Sequence, residues 1–183
     1  MKCGVIKAEN KTLREYANLV DEYTKFSTVP AYIIDRDISN YSSIIVINAG
    51  TRDGVKENFP VVSSDGVVGH IISATETTAK VQLITDPSSN VSAMASISRD
   101  NLIVKGNLES NNLLKATFIS ADADLILNDD IETSGLGGIY PKGLKIGKLI
   151  EVNEAQNITE KYAVIETAVD FSKLETVLVI ITE

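Results

Sequence analysis

The stretch Glu57-Asn-Phe-Pro-Val-Val-Ser-Ser-Asp-Gly-Val-Val-Gly-His-Ile-Ile72 decides the fold class. Two short runs rich in β-branched residues flank Ser64-Asp-Gly66, a turn whose glycine tolerates backbone angles other residues avoid. The second run carries Val68-Gly-His, and glycine at that place permits a sharp bend or bulge at a barrel corner. A related unit follows. Asn128-Asp-Asp-Ile-Glu-Thr-Ser134 precedes a longer Gly-rich loop and then Ile146-Gly-Lys-Leu-Ile150. Both read as strand, glycine turn, and a strand that opens with glycine. Two similar small barrels or a chance likeness account for the pattern equally well.

The same punctuation extends in both directions. Short runs rich in Val and Ile recur at Ala31–Ile34, Ile44–Ile47, Lys80–Ile84, Val91–Ala95, Leu102–Val104, Ala116–Ile119, Tyr162–Thr167 and Val177–Ile181. Turn residues separate them, among them Asn48-Ala-Gly50, Arg52-Asp-Gly54 and Asp86-Pro87. Many short strands at this spacing indicate an antiparallel sandwich or barrel, and no second long helical pattern supports a βαβ fold.

Upstream, residues 6–26 lack Gly and Pro and read as a helix. Ile6, Leu13, Tyr16, Val20 and Tyr23 follow the spacing of a coiled-coil seam, interrupted by Glu9. Two readings fit: an amphipathic helix folded on its own domain, or the end of a dimeric coiled coil with those five residues at the interface. Pro30 ends the helix because its ring excludes helical geometry from the preceding residue.

Composition narrows the function classes. The 183 residues include 17 basic and 25 acidic side chains, a net charge of −8, which disfavours nucleic acid as a partner. The longest apolar run is far shorter than the ~20 residues of a membrane helix, and no apolar stretch follows Met1-Lys2 as in a signal peptide. One cysteine, Cys3, forbids an internal disulfide. The single histidine, His70, sits mid-strand by pattern with no nucleophile elbow nearby, so an ordinary strand histidine is the expected role. Asp122, Asp124, Asp129, Asp130 and Glu132 lack the EF-hand glycine, since Leu127 stands in its place; they read as a solvated acidic loop. No catalytic, cofactor-binding or metal-ligating set emerges.

Gly135-Leu-Gly-Gly138 and Tyr140-Pro-Lys-Gly143 cannot be regular strand. Leu136 and Tyr140 are then apolar side chains on a loop. They either cover the edge of their own barrel or offer a partner surface.

Ordered motifs resemble the bacterial rod shape-determining protein MreC family over residues 7–181. They include Lys7-Ala-Glu-Asn-Lys-Thr-Leu-Arg14, Ile47-Asn-Ala-Gly-Thr-Arg-Asp-Gly-Val55, Val81-Gln-Leu-Ile-Thr-Asp-Pro87 and Asp170-Phe-Ser-Lys-Leu-Glu-Thr-Val-Leu-Val-Ile180. The most specific is Thr133-Ser-Gly-Leu-Gly-Gly-Ile-Tyr-Pro-Lys-Gly-Leu-Lys-Ile-Gly147. Two positions depart: Asn128 replaces a usual Gly-Asp pair, and His70 replaces a common Arg. The resemblance implies a mainly β protein, with an N-terminal coiled-coil helix and two small antiparallel β-barrels like those of chymotrypsin-like proteases without their active site. The expected division is helix 1–29, first barrel 30–108 and second barrel 109–183, with strand exchange or insertion between the barrels left open.

The resemblance also implies a non-enzymatic extracytoplasmic scaffold of the cell-elongation machinery, anchored by a membrane helix absent from these residues. Its implied partners are a second copy, with extension to filaments, a class B penicillin-binding transpeptidase, MreD, and MreB through the absent segments. No cofactor is implied. The competing readings are a serine hydrolase on the same barrels and a secretion or efflux adaptor.

Overall fold

The computed structural model describes residues 23–38, 43–107, 112–117, 122–153 and 161–182, with residues 13, 17, 110 and 120. Twelve strands form among them: β1 (Ser27–Ile38), β2 (Ser43–Ile47), β3 (Pro60–Val62), β4 (Val67–Ala74), β5 (Ala79–Leu83), β6 (Asn90–Ala95), β7 (Asn101–Gly106), β8 (Leu113–Thr117), β9 (Asp130–Thr133), β10 (Lys145–Asn153), β11 (Tyr162–Thr167) and β12 (Thr176–Ile181). Alternation sorts their side chains. In β2, Ile45 and Ile47 are buried while Ile44 and Val46 are half-buried. Ile71, Leu114, Ile146, Leu149 and Ile165 are likewise sealed inside. Burying each such side chain contributes ~1.5–3 kcal/mol, so the aliphatic interiors are the main stabilising term.

The strands close into two six-stranded barrels, β12-β3-β4-β5-β2-β1 and β6-β9-β10-β11-β8-β7, with each last strand pairing back to the first. Every pairing is antiparallel, and the neighbour order is the same in both. The second barrel runs through its six strands in sequence. The first lacks an opening strand of its own and receives β12 from the far end of the chain. The barrels therefore do not divide at residues 108 and 109. β6 and β7 belong to the second barrel, β12 to the first, and the second barrel is inserted between β5 and β12. Arg36 on β1 donates to the carbonyls of Phe171 and Leu174, which fastens the segment returning to β12.

The internal repeat has an atomic basis. Asn58 and Asn128 both adopt positive φ, 67° and 65°. Each donates its backbone N–H across the sheet, to the carbonyls of Ile71 and Leu149, both at 2.8 Å. Asparagine at Asn128 thus does what the usual glycine would, because its short side chain tolerates the left-handed region. Gly69 and Gly147 are also equivalent: a Cβ on either would overlap a neighbouring-strand carbonyl, that of Gln82 or Glu166. Register shifts follow at the same distance from each glycine, at Ile71/Ser73 and Leu149/Glu151. The true alignment is one residue off the sequence reading, which matched Glu57 rather than Asn58 to Asn128.

Ile6, Tyr16 and Val20 lie outside the described residues. Leu13 and Ala17 carry helical backbone and are exposed. Tyr23–Lys25 form a turn closed by the Phe26 N–H on the Tyr23 carbonyl at 3.0 Å. β1 begins at Ser27, before Pro30, so the helix cannot continue to that proline. Pro30 instead lies within β1 opposite Leu178, before the pairing with β2 begins at Ile33, so no ladder bond on that side is lost. Tyr23 is buried, and its hydroxyl donates to the Ser63 carbonyl at 3.1 Å. It is taken up by the first barrel rather than held out for a second chain.

Candidate functional site

The two loops that mark the repeat also bring the barrels together. In the first barrel, Ser63 donates its N–H to Gly66, three residues on; in the second, Thr133 donates to Leu144, eleven on. The second loop is therefore longer by eight residues, and these carry Leu136, the glycine cluster and Tyr140. Gly135, Gly137, Gly138 and Gly143 all have positive φ, so the loop path depends on residues without a Cβ. The Thr133 hydroxyl holds its base, donating to the Pro141 carbonyl at 2.5 Å and accepting from the Leu144 N–H at 2.9 Å.

Leu136 and Tyr140 separate. Leu136 is 61% exposed at the loop tip. Tyr140 is buried, and its hydroxyl lies 3.0 Å from His70 Nδ1 on the first barrel. The rings meet edge to face, with centroids 6.0 Å apart. Burial pushes the Tyr140 phenol well above its ordinary range and lowers the His70 imidazole from 6.5. A neutral imidazole accepting from the phenol satisfies both groups. This pair is a structural clasp between barrels. A Ser-His-Asp triad would need His70 beside a serine and an aspartate, but among the described residues its hydrogen-bond partner is Tyr140.

Asp122, Asp124 and Asp130 are exposed, as a solvated acidic loop requires, but Asp129 departs from that expectation. Asp129 is buried, and its carboxylate accepts from the Ile97 N–H at 3.1 Å. Asp130 and Glu132 face Lys145 and Arg99 at 3.9 and 3.5 Å. Asp129 therefore braces the β6–β7 turn, and its negative charge is met by backbone N–H groups. No cluster of metal-ligating side chains forms among the described residues.

The brace shapes a surface the sequence reading did not single out. Ile97, Ile126, Leu127 and Ile150 are exposed large apolar side chains. Hydrogen bonds tie the segments that carry them: Ile97 to Asp129, and Asn128 to Leu149. They share one end of the second barrel. The available signal was an isoleucine in the polar turn Ser96-Ile-Ser98 and the run Leu125-Ile-Leu127 amid acidic residues. Tyr32 and Ile34 on β1 form a smaller exposed pair on the first barrel.

The family profile described as "Rod shape-determining protein MreC, barrel core" matches residues 33–181. The chain belongs to the MreC family. The cell shape-determining protein MreC of Bacillus subtilis (strain 168) is 29% identical over 98% of this chain, which spans 65% of that relative's length. A solved MreC of Listeria monocytogenes has a TM-score of 0.78 and 27% identity, over 98% of this chain and 87% of that one. The MreC of Helicobacter pylori, solved in a complex with penicillin-binding protein PBP2, shares the fold at a TM-score of 0.67 and 18% identity, over 86% of this chain and 99% of that one. The stretch from Thr133 to Gly147, which carries the most specific part of the resemblance, is the clasp loop together with the glycine at the β10 crossing.

Proposed function

We propose that this chain is a non-enzymatic extracytoplasmic scaffold that maintains rod cell shape by positioning a class B penicillin-binding transpeptidase. The observation that carries the reading is the MreC barrel core over residues 33–181, in a fold whose H. pylori member was solved with PBP2. The apolar end of the second barrel fits such a role. Ile97, Ile126, Leu127 and Ile150 are exposed apolar side chains on hydrogen-bonded neighbouring segments, the makings of a docking surface. Leu136 is a second candidate contact; Tyr140 is spent on the clasp. Co-elution of the chain with the extracytoplasmic part of its cognate transpeptidase in size-exclusion chromatography is expected. Separate elution at concentrations where related pairs associate would contradict the proposal.

The N-terminal segment is proposed to pair two copies through Ile6, Leu13, Tyr16 and Val20. The exposure of Leu13 in the single chain supports this, as does the seam spacing. Leu13→Asp with Val20→Asp should convert dimer to monomer in sedimentation velocity, because an unpaired charge in an apolar seam is costly. Anchoring by a membrane helix, extension to filaments, and contacts with MreD and MreB belong to the same proposal and rest on the family resemblance.

A further inference from the structure

The seam has a second side, opposite in character to the His70–Tyr140 clasp. There the approach to β1, the β3–β4 turn and the end of the clasp loop enclose a cleft of about 380 Å³. Among the described residues its charged walls are Lys25, Lys142 and Lys145, with Asp65 as the one carboxylate, and Phe26 and Leu144 add apolar surface. A smaller cleft shares Asp65 and Lys145 and adds Lys148 and Glu166. In a chain of net charge −8, an excess of cations around one cleft runs against the general field.

The backbone here is fixed rather than adaptable. A Cβ on Gly66 would overlap the Lys145 carbonyl, so turn and strand are in direct backbone contact across the seam. Lys145 has only a weak claim on its charge: Asp130 lies 3.9 Å away, and both side chains are half exposed. The described cations lining the cleft are lysines. Lysine presents a compact point charge and lacks the planar fork that matches a carboxylate edge, so lysines converging from separate segments suit a group with oxygens on several sides.

We propose that this cleft binds a phosphate group, as a soluble phosphate ester or a phospholipid headgroup, with Lys25, Lys142 and Lys145 as the binding cations. Asp65 then opposes the anion and tunes its affinity. The site is distinct from the apolar end of the second barrel and does not depend on transpeptidase binding.

The test is an amide-shift titration of the intact chain with inorganic phosphate and with glycerol 3-phosphate, at constant ionic strength. Saturable shifts at Ser64–Asp65 and Lys142–Lys145 are expected. Lys142→Gln with Lys145→Gln should weaken binding about tenfold, and Asp65→Asn should tighten it about threefold, with melting temperature unchanged. Co-sedimentation with phosphatidylglycerol vesicles distinguishes the sources: loss in the double variant there, with no soluble-ester binding, assigns the headgroup. Absence of saturable binding in both formats would overturn the proposal, as would binding indifferent to the lysine and Asp65 changes.

Discussion

The two barrels share one strand order, one glycine crossing and one left-handed asparagine, yet the loop after that asparagine's strand differs sharply between them. The first closes β3 onto β4 through a tight turn. The second spends eight more residues between the equivalent hydrogen bonds, and with them reaches the other barrel. The common scaffold makes each barrel, and the inserted loop carries the side chain that clasps them together. The chain path agrees, since the first barrel is completed only after the second has been traversed.

That contrast can be broken most severely at Tyr140. Tyr140→Ala empties a buried aromatic site on the inserted loop and should cost about 3–5 kcal/mol in urea unfolding. A change below ~1 kcal/mol would show that the insertion is not part of the packed seam. The shared element is tested by Gly69→Ala and Gly147→Ala. Each new methyl meets a backbone carbonyl and should cost about 1–3 kcal/mol. Equivalent barrels predict equal costs to within ~1 kcal/mol, and a larger disparity would set the two crossings apart.

The clasp adds a pH dependence. His70 has a lowered pKa in the folded chain, so the unfolded chain binds its proton more readily. Stability therefore falls as pH drops below 6.5 toward the folded-state value, and this contribution is level above 6.5. Melting curves of the chain and of His70→Gln should diverge in slope only below that pH; parallel curves would deny His70 a buried neutral role. The smallest effect is expected at the loop tip. Leu136→Ala should stay within ~0.5 kcal/mol of the parent in the same unfolding assay, because its side chain is exposed.

Local chemistry made much of this legible. Val and Ile runs between glycine turns announced the strands, and the pair Val68-Gly-His and Ile146-Gly-Lys marked the repeat. Its exact register was not legible, since only the hydrogen bonds of Asn58 and Asn128 show which residues correspond. Nesting of one barrel within the other was left open by the resemblance alone, because pairing of β12 with β1 is a long-range choice with no local mark. Tyr23 fitted a helical seam by spacing, yet it is buried with its hydroxyl on the carbonyl of Ser63, forty residues away. Asp129 appeared solvated among its acidic neighbours because backbone donors from the β6–β7 turn are invisible in a residue pattern.

On the proposed function, the second barrel rather than the first presents the docking surface of the scaffold. The most direct test is the affinity of the cognate class B transpeptidase for two double variants. Ile97→Asp with Leu127→Asp charges the braced end of the second barrel, and Tyr32→Asp with Ile34→Asp charges the exposed pair on the first. Binding should fall at least about tenfold in the second-barrel variant and stay within about threefold in the first-barrel variant, both with parental melting temperatures. The reverse order, or equal retention by both variants, would contradict the claim.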